Sequence, residues 1–229
     1  MNTYTWDARN RLASISGGTT ASFQYDPFGR RVTRNVLGST TNFFYDGGNS
    51  IQELSSGSPS ADVTSGGVDE PFTRSDSTGI SNYLLDAQGS SVALTDSSGT
   101  VQTQYAYEPF GKTTATGQPT SNPAAFTGRE SDATGLYFYR SRYYNPTLQR
   151  FISEDSVRLA GGPNQYEYAS NCPQTYTDPS GQFGAAGCLY GMAMYVDFQL
   201  LPQLLIGRKQ PSGTTIVKNL ALNCASPST

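Results

Sequence analysis

Side chains recur with a period of two along much of this 229-residue chain. Val101, Thr103, Tyr105 and Tyr107 stand at every second position, and Ser90-Ser-Val-Ala-Leu-Thr-Asp precedes them across a turn at Ser97-Ser-Gly99. Alternation bounded by Gly, Ser and Asp clusters predicts strands joined by tight turns. Arg31-Val-Thr-Arg-Asn-Val, a turn at Leu37-Gly-Ser and then Thr40-Thr-Asn-Phe-Phe-Tyr45 predict a hairpin in the same way. Residues 55–82, rich in Ser, Gly and Asp, predict a loop with one short or irregular edge strand, and 112–124 a loop. Beyond Gly184 the turns thin out and two apolar clusters appear. They predict a short helix over 190–201, stopped by Pro202.

An aromatic–acid pair punctuates the strands. Trp6-Asp7, Tyr25-Asp26 and Tyr45-Asp46 are spaced 19 and 20 residues apart, and Tyr107-Glu108-Pro-Phe-Gly111 echoes Tyr25-Asp26-Pro-Phe-Gly29. A recurring unit of this length is the mark of a repeat architecture. The ring offers an apolar face to the next strand while its hydroxyl finds a polar partner. Asp followed by Pro and, three residues on, Gly matches type I turn chemistry. On their own these pairs are architectural, stapling hairpins into a spiral sheet.

Composition narrows the chemistry. Charged residues are only 14% of the chain, and Gly (24), Pro (13) and Tyr (15) are plentiful. The net charge of −3 and the absence of any Lys/Arg run give no basic face for nucleic acid. There is no histidine, which removes Ser-His and Cys-His catalysis and the commonest zinc ligand. Cys172, Cys188 and Cys224 have no metal spacing, so no metal or other cofactor is expected. They read as free thiols, with a Cys188–Cys224 bridge as the alternative. Met1-Asn-Thr-Tyr-Thr-Trp has neither the charged nor the apolar region of a signal peptide. The most apolar stretch, 183–206, is broken by Asp197, Gln199, Pro202 and Gln203 and makes a poor membrane span.

Four segments together suggest a family. They are Gly66-x-Val-Asp-Glu-Pro, Tyr83-Leu-Leu-Asp-Ala-Gln-Gly-Ser-Ser-Val-Ala-Leu-Thr-Asp, Tyr107-Glu-Pro-Phe-Gly, and the run from Gly135-Leu-Tyr-Phe-Tyr-Arg-Ser-Arg through Arg150-Phe-Ile-Ser-Glu-Asp155 to Thr177-Asp178-Pro-Ser-Gly181. In this order they resemble the last repeats and the associated core of Rhs, or YD-repeat, proteins. The resemblance implies a mainly β fold in which antiparallel hairpins spiral into part of a shell, closed by a core plug and followed by a short irregular or partly helical tail. The implied domains are a repeat segment (1–134), an Rhs-associated core (135–182) and a variable tail (183–229). In this family the shell encloses its C-terminal segment, often a toxin. With only a handful of repeats here, upstream shell repeats or a delivery protein are the expected partners. The chain's own tail is the expected cargo, and an immunity protein is a further expected partner. The implied location is extracellular or at the cell surface, reached by a dedicated secretion route.

The resemblance also implies a chemistry, a single-turnover aspartyl autoprotease. Arg142, Asp155 and Asp178 match the family's catalytic arginine and aspartates, and the expected cut lies between Gln182 and Phe183. Two carboxylates sharing a site do not both ionise readily, so one can act as acid and the other as base on a water. Gln182 stands where the family usually has Leu, and Ser156 follows Asp155 where the family usually has Pro. Spacing alone leaves a plainer alternative open. Asp178 would only start its Asp-Pro-Ser-Gly turn, Asp155 would be a loop acid, and Arg142 one end of a surface ion pair. The chain would then be a non-catalytic structural or surface-interaction scaffold.

Overall fold

The computed structural model describes residues 1–182. Twelve strands form one antiparallel meander in strict chain order, from β1 (Asn2–Trp6) to β12 (Thr113–Gly117), and each end strand has a single neighbour. Among the described residues the sheet does not close into a barrel. A second, four-stranded sheet follows: β13 (Glu130–Ser131), β14 (Tyr137–Tyr139), β15 (Arg142–Asn145) and β16 (Arg150–Phe151). The expected hairpin is present as β4 (Arg31–Val36) and β5 (Ser39–Asp46), joined through Leu37 and Gly38, both in the left-handed region. Alternation decides which face is buried: in β3 (Ala21–Tyr25), Ala21 and Phe23 are buried while Ser22 and Gln24 are exposed.

The aromatic–acid pairs build the turns. Asp26 accepts the amides of Phe28 and Arg30 at 2.9 Å each, and its backbone pairs with Arg30. Gly29 takes positive φ where the chain reverses. Asp7 repeats this with Arg9 and Arg11. The tyrosines reach back across the sheet: Tyr25 donates to the Leu12 carbonyl, Tyr45 to that of Arg31, and Tyr107 to that of Ser91.

Two expectations fail. Residues 55–82 form strands, with β7 (Ser58–Ser65), β8 (Pro71–Asp76) and β9 (Gly79–Leu85) paired antiparallel, the β7–β8 register shifting once between Thr64 and Ser65. Their polar composition hides them: Ser and Asp carry little strand propensity, and the ladders on both sides supply what propensity lacks. β12 lies within the expected loop 112–124, held along its length by β11 (Val101–Tyr107). The expected helix 190–201, Cys188, Cys224 and the rest of the tail lie outside the described residues. Cys172 is a free thiol.

The second sheet packs on the first through two clusters. Leu136, Phe138 and Tyr143 meet Leu12, Ile15, Phe23 and Val36, while Tyr139, Tyr144, Phe151 and Tyr168 gather around Phe126. Each fully buried apolar side chain contributes about 1.5–3 kcal/mol. Between the sheets Arg31 is completely buried, paired with Asp132 at 2.5 Å and with Glu130, and stacked over the Phe138 ring.

Candidate functional site

β15 opens with Arg142, which is 3% exposed, so the reading of it as a surface charge is excluded. Its guanidinium lies 3.7 Å from the centre of the Phe151 ring, which fixes its plane. Every nitrogen of that fork has a partner. Nη2 meets Asp155 at 2.7 Å and Asp178 at 3.4 Å, Nη1 donates to the Gln165 carbonyl at 2.9 Å, and Nε donates to the Gly181 carbonyl. Three residues spread over 36 positions of sequence are thus brought to one nitrogen, and both acids are buried.

The two acids are held differently. Asp155 follows β16 in a short loop, where its backbone amide donates to Gln165 and its carboxylate accepts the Val157 amide at 3.0 Å. Asp178 starts the Asp-Pro-Ser-Gly turn and closes it with the Gly181 amide at 3.3 Å. Its Oδ1 also accepts the Gln182 amide at 3.0 Å and the Ser180 hydroxyl at 3.3 Å. Asp178 therefore starts its turn and faces Arg142 at the same time. Desolvation raises both carboxyls above their ordinary range, against the pull of Arg142. Burial likewise lowers Arg142, against the pull of both acids. Burial thus favours the protonated form of each acid, against the one cation beside both.

The turn is gripped from the far side as well. The Ser141 hydroxyl lies 2.8 Å from the Ser180 carbonyl and 2.7 Å from that of Gly181. Gly181 sits at φ +68°, and a Cβ there would run into the Tyr139 carbonyl, so only glycine fits. Gln182 donates from Nε2 to the Ser156 hydroxyl at 2.5 Å. Two positions that depart from the family pattern thus bond each other. Gln182 also lines a cavity of about 660 Å³ between the sheets, together with Arg140, Arg142 and Ser156. Phe183 lies outside the described residues. Sequence reasoning missed Ser141, whose only signal was its place beside Arg142. Among the described residues no group of acids and cysteines could hold a metal ion. No described helix is long and apolar enough to cross a membrane.

Known proteins that resemble this chain fall into one family model, two relatives and two solved structures. The RHS Repeat family model matches residues 6–40. The tRNA3(Ser)-specific nuclease WapA of Bacillus spizizenii is 32% identical over 202 residues, covering 79% of this chain and 8% of that protein. Double-stranded DNA deaminase toxin A of Burkholderia cenocepacia is 28% identical over 221 residues, covering 80% and 15%. Among solved structures, the Photorhabdus luminescens Tc holotoxin pore matches with a TM-score of 0.67 at 22% identity, over 80% of this chain and 10% of the other. A TcdB2-TccC3 crystal structure matches at 0.64 and 24% identity, over 79% and 10%. These last two establish the fold. The chain spans 8% to 15% of the length of the relatives named.

Proposed function

Starting from a chain that belongs to the Rhs/YD-repeat family, we propose that it is the closing part of a repeat shell whose plug cuts its own chain once and frees the tail behind it. Residues 1–134 would contribute shell wall, 135–182 the plug, and 183–229 the enclosed toxin-type segment. The free edge of β1 would take a strand from upstream repeats, since an unpaired edge is a ready template for pairing. Relatives named as toxins support a role in toxin delivery outside the producing cell.

One observation carries the proteolytic reading: two buried carboxyls meet one guanidinium nitrogen beside the backbone of the Asp178 turn. Asp155, nearer to Arg142, would be the ionised base, and Asp178 the protonated acid. Asp155 takes a proton from a water, whose oxygen attacks the Gln182 carbonyl carbon. As the tetrahedral species collapses, Asp178 gives its proton to the departing nitrogen of Phe183. The products are a Gln182 carboxyl and a Phe183 amine. Ser141 and Arg142 would hold the Gly181 carbonyl fixed, which presents the next one.

A non-catalytic scaffold is favoured by a different observation. The carbonyl that Ser141 and Arg142 grip is that of Gly181, one residue upstream of the expected cut. Incubating the purified chain and following fragment masses separates the two: one cut after Gln182 supports the protease, and a folded, uncut chain supports the scaffold.

A further inference from the structure

The loop before β8 reaches across to the plug. Asp69, at φ +65°, directs its carboxylate between Arg129, just before β13, and Arg140 of the plug. Arg140 meets it with two nitrogens, at 2.6 and 3.1 Å, and Arg129 pairs with the same carboxylate. Both arginines then donate to a single acceptor, the Pro179 carbonyl, Arg129 at 3.3 Å. That carbonyl follows Asp178 directly in the chain. Burial, with the Arg140 charge beside it, pushes Arg129 down to about 9, so two cations held this close and this dry need the anion between them.

The loop itself is prepared for the contact. The Asn49 side chain donates to the Gly67 carbonyl at 2.8 Å and accepts the Asp69 amide at 3.4 Å. The backbones also approach closely: a Cβ on Gly128, at φ +68°, would lie 2.8 Å from the Asp69 carbonyl oxygen. An element of the repeat sheet is thus locked onto the back of the turn that carries a candidate acid.

We propose that Asp69 is a positioning residue for the self-cleavage site, acting through Arg129 and Arg140 on the Pro179 carbonyl, so that docking of the repeat sheet assembles the site. The proposal rests on the proteolytic reading above. It makes cleavage conditional on a seated wall: a plug whose repeat loop is not engaged has its turn out of place. Misplacing a reacting group by about 1 Å costs on the order of 100-fold in rate.

The test compares Asp69→Asn and Asp69→Glu in the whole chain. Asn keeps the size and tolerates the left-handed backbone, so the change is confined to the charge and its ion pairs with Arg129 and Arg140. The expected result is self-cleavage slowed on the order of 10- to 100-fold in Asp69→Asn, read at a temperature where melting curves show both chains folded, and largely recovered in Asp69→Glu. Equal cleavage rates in Asp69→Asn and the parent would overturn the proposal. A second arm uses amide hydrogen exchange at Gly181 and Gln182 in the uncut Asp155→Asn background. Faster exchange on adding Asp69→Asn supports the relay, and unchanged exchange overturns it. If the parent never cleaves, the proteolytic reading fails, and the exchange arm alone decides whether Asp69 positions the turn.

Discussion

In the repeat sheet, Asp7 and Asp26 lie at the rim, each holding two amides of its own turn and the arginine four residues on. In the plug, Asp155 and Asp178 lie inside and share one arginine that is itself desolvated. Burial raises all four, but in the rim turns the arginine and the amides outweigh it and hold Asp7 and Asp26 below the ordinary carboxylate range. In the plug burial wins, and Asp155 and Asp178 rise. The same residue in turns of the same kind is therefore held ionised where water and donors are plentiful, and drawn toward its protonated form where they are scarce.

The comparison breaks most sharply at Arg142. Lysine is a point charge and cannot reach two carboxylates and two carbonyls from one fork. Arg142→Lys should cut the self-cleavage rate by about 10²–10⁴-fold, the usual worth of positioned acid–base groups. Asp26→Asn should leave it unchanged, and time-resolved intact mass of both variants checks the contrast. Next in size is Arg31→Met, which leaves the buried Asp132 with Arg34 as its remaining cation. It should cost about 3–5 kcal/mol in denaturant unfolding, as breaking a buried pair does. Gly181→Ala should cost more than the about 1–2 kcal/mol of a left-handed backbone, and should stop cleavage, because the turn must also shift off the Tyr139 carbonyl. The smallest effect belongs to the exposed Lys112–Glu108 pair: Lys112→Ala should change stability by less than about 1 kcal/mol.

The pH dependence sharpens the same contrast, with opposite signs for the two regions. Asp155 and Asp178, raised in the folded state, stabilise it below the ordinary carboxylate range. They lose that contribution as pH rises through their shifted values. Asp7 and Asp26, lowered, stabilise above the ordinary range and lose it as pH falls through theirs. The cleavage rate should therefore decline on an alkaline limb that lies above the ordinary carboxylate range. A pH–rate profile with that limb at the ordinary Asp value would contradict the burial of the dyad.

How much of this was legible in the sequence differs between the two regions for a physical reason. The Tyr-Asp pairs and Pro-Phe-Gly turns act within a few residues, so β3 to β5 could be read directly from them. β7 to β9 and β12 depend on ladders with their neighbours, and their Ser, Thr and Asp side chains give little sign of it. In the site, the resemblance nominated Arg142, Asp155 and Asp178. Their convergence on one nitrogen is a tertiary fact that no spacing encodes. Ser141 and Asp69 were invisible as site residues because each acts on the backbone of the Asp178 turn, Asp69 through two arginines, from 39 to over 100 residues away in the chain.

Whether Asp155 and Asp178 work as a dyad is decided by intact-mass spectrometry of the parent beside Asp178→Asn. With a working dyad the parent yields two species, residues 1–182 and 183–229, while Asp178→Asn keeps the full 24.6 kDa mass. A folded parent that stays whole, or an Asp178→Asn chain that is cut at the same rate, would contradict it.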